Sequence, residues 1–166
     1  MDEPTVPLSA AAAIDAYWTS STALRHPPWR DAGTRVRAHL DTYLDTEAER
    51  YLTTGERALV DAERQLDPAG AVARVTGPEA LVAALPGFLD PAWMLFGEDA
   101  RAQVLVVDGL VRWLVVQGLV EQEGMSCYLL EVEVSLAHVA DQLGRRARPD
   151  VSRSTPPAPR RPGSGP

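Results

Sequence analysis

Residues 102–120 read AQVLVVDGLVRWLVVQGLV, the most apolar run in the chain. Its length raises the question of a membrane span, which needs about 20 apolar residues. Asp108 and Arg112 sit near its centre, and each costs about 2.5–3.5 kcal/mol at a membrane midplane. The run is therefore predicted to be a core helix of a water-facing fold. At 100° per residue Arg101, Leu105, Asp108 and Arg112 share one stripe and the other faces are almost wholly apolar. A helix of this kind sits centrally, with its charged seam turned to water or to a partner, so Arg101, Asp108 and Arg112 are candidate interaction residues.

The next segment, 126–143, fits two templates. Leu130, Val132, Val134 and Leu136 alternate with polar residues as in a half-buried strand, while Leu129, Val132, Leu136, Ala140 and Leu143 form a helical stripe. The helical match is the longer one. It predicts a mainly α chain, a single-domain bundle of four to six helices over 1–143 followed by a disordered tail over 144–166.

The string LVRWLVVQGLVEQEGMSCYLLEVEV, residues 110–134, resembles the end of a winged-helix domain, where a helix closes in a Gly-Leu-Val step and a β-hairpin wing follows. The resemblance implies an α+β alternative with a degenerate winged helix at 78–143. Its wing strands would be 118–121 and 127–134, and 104–116 would stand in the recognition position of a DNA-associated transcriptional regulator. That helix offers base edges only Gln103 and Arg112 beside an acidic Asp108, and the acidic body repels phosphate. Nucleic acid is an unlikely partner on this reading, and a winged helix here suits a protein partner better.

Upstream, Ser9 caps a first helix reaching to about Arg25, ended by His26, Pro27 and Pro28. From Trp29 a longer helix carries Val36, Leu40, Tyr43, Leu44 and Tyr51 at spacings of three and four, with Asp31–Arg35 and Arg37–Asp41 as helix-spaced ion pairs. An amphipathic stripe of this kind faces a partner surface, and a homodimer through 29–66 is compatible with it. Thr53 and Glu56 have capping-box spacing and predict a break. Asp67-Pro68 and Asp90-Pro91 mark turns and potential helix starts, and Pro78 opens a short helix that stops near Pro86 and Gly87.

The 166 residues contain 16 basic side chains, every one arginine. The absence of lysine removes Schiff-base and pyridoxal chemistry and the phosphate-gripping lysine of a P-loop. Charge divides unevenly. Residues 1–143 hold 10 Arg against 22 acids, a net −12, while 144–166 hold six Arg against Asp150, a net +5. The tail, rich in Pro, Gly, Ser and Arg, has almost nothing to bury and is predicted to be disordered. Its Arg145, Arg146, Arg148, Arg160 and Arg161 are candidate contacts for an anionic surface, and Pro156, Pro159 and Arg161 have PxxPxR spacing.

Residues suited to catalysis are sparse. His26, His39 and His138 belong to no metal-binding spacing, and no serine-nucleophile or phosphate-cradling motif is present. Asp41, Asp45 and Glu49 share a helical face that reads as solvated acid rather than a cation site. The one cysteine, Cys127, reads as a small core residue. It stands 11 residues from His138, about 16 Å along a helix and beyond hydrogen-bond reach. Of Trp18, Trp29, Trp93 and Trp113, most are expected in the core, Trp113 above all. Asp2 and Glu3 lie where an export signal needs positive charge. The sequence thus predicts a cytoplasmic, non-enzymatic adaptor or regulator with no cofactor or metal, acting through an unidentified protein partner and not through a membrane.

Overall fold

Side-chain caps decide where the helices begin. The structure, a computed structural model, describes residues 8–146. Ser9 Oγ accepts from Ala12 N at 3.2 Å and starts α1 (Ala10–Ser20). Ser21 repeats the device, accepting from Leu24 N, so the single helix expected up to Arg25 is split into α1 and the short α2 (Thr22–Arg25). Pro27 and Pro28 end α2 and also open α3 (Pro27–Glu47), because the first turn of a helix has no use for the N–H that proline lacks.

After a 3₁₀ turn (Ala48–Tyr51) comes α4 (Thr54–Leu66), which opens with the expected capping box. Thr53 N donates to Glu56 Oε2 at 2.8 Å, and Glu56 N donates to Thr53 Oγ1 at 3.3 Å. The remaining helices are α5 (Ala71–Val75), α6 (Pro78–Phe88), α7 (Gly97–Val116) and α8 (Ser126–Arg146). Asp67 and Asp90 form turns rather than helix caps, accepting from Ala69 N and Ala92 N through their side chains. Pro86 does not stop α6 but lies in its last turn.

The mainly α architecture holds, with a finer division than expected. Six helices of 11 residues or more and two short ones make eight among the described residues. No strand occurs among them, which overturns the winged-helix alternative. Residues 118–121 are turn, and 127–134 lie inside α8. A helix satisfies its own backbone, whereas a two-stranded wing buries too little to hold itself. Here Leu129, Val132, Leu136, Val139 and Leu143 form one stripe on the core, and α8 packs on α6 and α7.

The folded part also runs past the expected boundary at 143, because α8 takes in Gly144, Arg145 and Arg146. Arginines in a last turn suit the negative end of the helix dipole, and Arg145 pairs with Asp141 one turn back at 2.7 Å. Residues 147–166, with Arg148, Arg160, Arg161 and the PxxPxR spacing, lie outside the described residues.

The core centres on α3 against α7. Val36, Leu40, Tyr43 and Leu44 of α3 are buried, as are Val106, Val107, Leu110 and Leu114 of α7. The α3 stripe expected to face a partner is thus spent inside the chain. What the 29–66 stretch leaves for a second molecule is Leu59 and Leu66 on α4. Three tyrosines fit where a neighbouring helix carries glycine. Tyr17 Oη meets α7 at Gly109, and the hydroxyls of Tyr43 and Tyr51 meet α6 at Gly87, leaving no room for a Cβ at either position. Tyr43 Oη donates to Ala84 O at 2.7 Å. Burial pushes the Tyr43 phenol well above its ordinary range, with Tyr51 adding to the effect.

Three expectations on burial change. Cys127 is exposed. All four tryptophans, Trp113 included, are half-buried at the margin of the core rather than within it. Asp41, Asp45 and Glu49 each hold a structural partner rather than forming a solvated face. Asp41 pairs with Arg37, Asp45 Oδ2 accepts from Gly70 N at 2.7 Å, and Glu49 pairs with Arg64 at 2.8 Å.

Candidate protein-binding groove

The charged seam read in residues 101–112 lies on the surface as one wall of a groove. Asp108 and Arg112, one turn apart on α7, form an ion pair with Nε to Oδ1 at 2.9 Å. Arg101 is exposed two turns earlier. Facing them on α8 are Glu133, Leu136, Ala137 and Ala140, with half-buried Val104 and Leu105 completing the floor. The same trough continues past Arg101 along Ala140, Leu143 and Gly144 to Phe96, Glu98 and Arg146. From Phe96 to Arg112 it is about 24 Å long, at 1.5 Å per residue.

Helix packing creates this trough. α7 and α8 run antiparallel, since Arg112 shares the groove with Glu133 at one end and Glu98 shares it with Arg146 at the other. Alanine at 137 and 140, within the turn that also carries Leu136, keeps the second wall low. The first wall is fastened at its start and near its middle. Arg35 of α3 forks onto Asp99 in the first turn of α7, with Nε to Oδ2 at 2.9 Å and a second nitrogen to Oδ1 at 2.6 Å. That hydrogen-bonded guanidinium holds the Asp99 carboxyl below its usual range. Nearer the centre, Tyr17 lies under Gly109, where burial raises its phenol pKa and the charge of Asp108 adds to the rise.

The connection that leads into α7 is tied down by buried Gln103. Its Nε2 donates to Phe88 O at 2.8 Å and to Trp93 O at 3.1 Å, and its Oε1 accepts from Leu95 N at 2.9 Å. His39 Nε2 also lies 2.8 Å from Trp93 O, which requires that this nitrogen carry the proton. The sequence suggested Gln103 only as a residue that could reach a base edge, whereas its side chain is fully buried and committed to backbone partners. It sets the position of Leu95 and Phe96, and so the end of the groove.

Of the residues singled out beforehand, Arg101, Asp108 and Arg112 come together here, and Arg146 reaches the far end of the same groove. Arg145 does not join them and pairs with Asp141 on the outer side of α8. Glu133, Leu136, Ala137 and Ala140 were missed as site residues. Leu136 and Ala140 belonged to the predicted helical stripe, and the two alanines three apart were the available sign of a shallow surface.

Among the described residues no group of three or more His, Cys, Asp or Glu side chains is placed to hold a metal ion, and no helix is long and apolar enough to cross a membrane. Comparison with models of protein families, with curated proteins and with solved structures finds no match to this chain.

Proposed function

We propose that the chain is a non-enzymatic, cytoplasmic adaptor or regulator that binds another protein through the α7–α8 groove. One observation carries the reading, a trough about 24 Å long with an apolar floor and charges of both signs along its rim. A groove of that length accepts about four turns of an amphipathic helix, whose apolar face covers the floor while its flanks meet Arg101, Asp108, Arg112 and Glu133. Mixed rim charges set the register of such a ligand more than its affinity.

The test is affinity capture from native cells with the full chain, an Ala140→Trp variant that fills the floor, and a Leu59→Glu variant on the remote α4. The reading expects a partner retained by Leu59→Glu and lost with Ala140→Trp. An identical set of captured proteins with and without the tryptophan would overturn it. A chain truncated after residue 146 shows in the same experiment whether Arg148, Arg160 and Arg161 contribute.

A further inference from the structure

On the flank of α8 away from the groove, the connection from α6 to α7 and the C-terminal half of α8 enclose a cavity of about 100 Å³. Leu89, Met94, Leu95, Val139 and Leu143 line it with hydrocarbon, and Leu89 and Val139 are buried. The wall is built in advance, because Gln103 fastens the backbone at Phe88, Trp93 and Leu95. An apolar hollow of this size forfeits contacts that a filled one would make. Its rim is polar in one sense only. His138, Gln142 and Arg146 follow at spacings of four along α8, and no carboxylate lines the cavity, although residues 1–143 hold 22 acids. Gln142 Nε2 lies 2.6 Å from His138 Nε2. An amide nitrogen only donates, so this imidazole nitrogen accepts and its proton sits on Nδ1. His138 thereby orients the Gln142 amide, whose second N–H is left over. Side chains on a helix lean towards its N-terminus, so the Arg146 arm extends over Gln142. Arg146 and Phe96 also border the end of the groove, whereas His138, Gln142, Leu89, Met94 and Val139 do not line it.

We propose that this cavity binds a small monocarboxylate with an aliphatic tail of about four carbons. The tail enters the hollow, and the carboxylate stays at the rim, where Gln142 and Arg146 donate to it. Size sets the tail. An apolar cavity of about 150 Å³ accommodates benzene, so one of about 100 Å³ takes about four carbon atoms. Charge sets the head, because a rim of N–H donors without a carboxylate suits an anion and gives an ammonium group no partner. Phe96, 85% exposed at the lip, offers the outer part of the tail an apolar neighbour. The inference does not depend on what occupies the α7–α8 groove, since the cavity lies on the other flank of α8.

Straight-chain carboxylates titrated into the full chain, isotope-labelled at its methionine methyl groups and followed by NMR, test it. Met94 lines the cavity and Met125 stands outside it, and Met94→Leu assigns the signal. The Met94 methyl should shift saturably while the Met125 methyl stays in place. Affinity should rise about threefold for each methylene from acetate to pentanoate and then level off, because a longer tail finds no room. Pentanol and pentylamine should each bind at least about tenfold more weakly than pentanoate. N-acetyl-leucine, which copies the end of a peptide, should also bind less tightly. Val139→Phe fills the hollow and should abolish the shift. If that variant fails to fold, Arg146→Glu at the exposed rim serves in its place and should weaken pentanoate at least about tenfold. An unmoved Met94 methyl, an affinity that keeps rising through octanoate, equal binding of the alcohol or the amine, tighter binding of N-acetyl-leucine, or indifference to these substitutions would each overturn the proposal.

Discussion

α7 and α8 have almost the same length and lie against each other, yet α7 buries eight residues and α8 only two. The first is enclosed by α1, α3, α6 and α8, and the second is a lid touching its neighbours along one stripe. Stability is concentrated in the enclosed helix. The covering helix has surface left over, on one flank along the groove and on its outer face, where Leu130 and Val134 are exposed.

Substitutions can break that contrast. The largest effect should come from Leu110→Ala, which opens a cavity beside α3 and should cost about 3 kcal/mol in chemical denaturation. Val132→Ala, at the best-buried position of α8, removes less volume and should cost about 1–2 kcal/mol. Equal losses would refute the division into core and lid.

Next in size is Gly109→Ala, whose methyl group runs into Tyr17 and should cost about 1–3 kcal/mol by overpacking. Tyr17→Phe in the same chain removes the obstructing hydroxyl, so a double variant less destabilised than the alanine alone is the expected calorimetric result.

Alkaline titration probes the same packing without substitution. The phenols of Tyr43 and Tyr17 are raised above 10 in the fold, so the native state holds their protons more tightly than the unfolded chain does. Their contribution is fully present below pH 10 and is lost as pH rises through the folded values. Thermal midpoints should therefore fall above pH 10, and Tyr43→Phe should flatten that fall. The smallest effect belongs to Leu130→Ser on the outer face of α8, which should change monomer stability by no more than about 0.5 kcal/mol.

The sequence was most readable where a local rule suffices. Thr53 and Glu56 mark a boundary because both partners of the capping box lie within four residues. Asp108 and Arg112 decide between membrane and core because their charge cost holds in any surroundings. Cys127 was misassigned because residue type alone placed it. It stands five positions before buried Val132, about 140° around the helix, which turns it to water. The α8 alternation was ambiguous for a related reason. Leu130 and Val134 lie on one side of the helix and Val132 and Leu136 on the other, so a helix with two apolar faces imitates a strand with one.

Helix content, the central place of residues 102–116 and their ionic ridge were properties of the chain alone, because hydrogen bonds within four residues and the period of 3.6 determine them. The second wall of the groove, the tyrosine hydroxyls seated on Gly87 and Gly109, and the amide of Gln103 that fastens the entry to α7 emerged only in three dimensions. Each depends on which helices become neighbours and in which direction they run. That choice is made by the packing of whole faces, and no local stretch of residues records it.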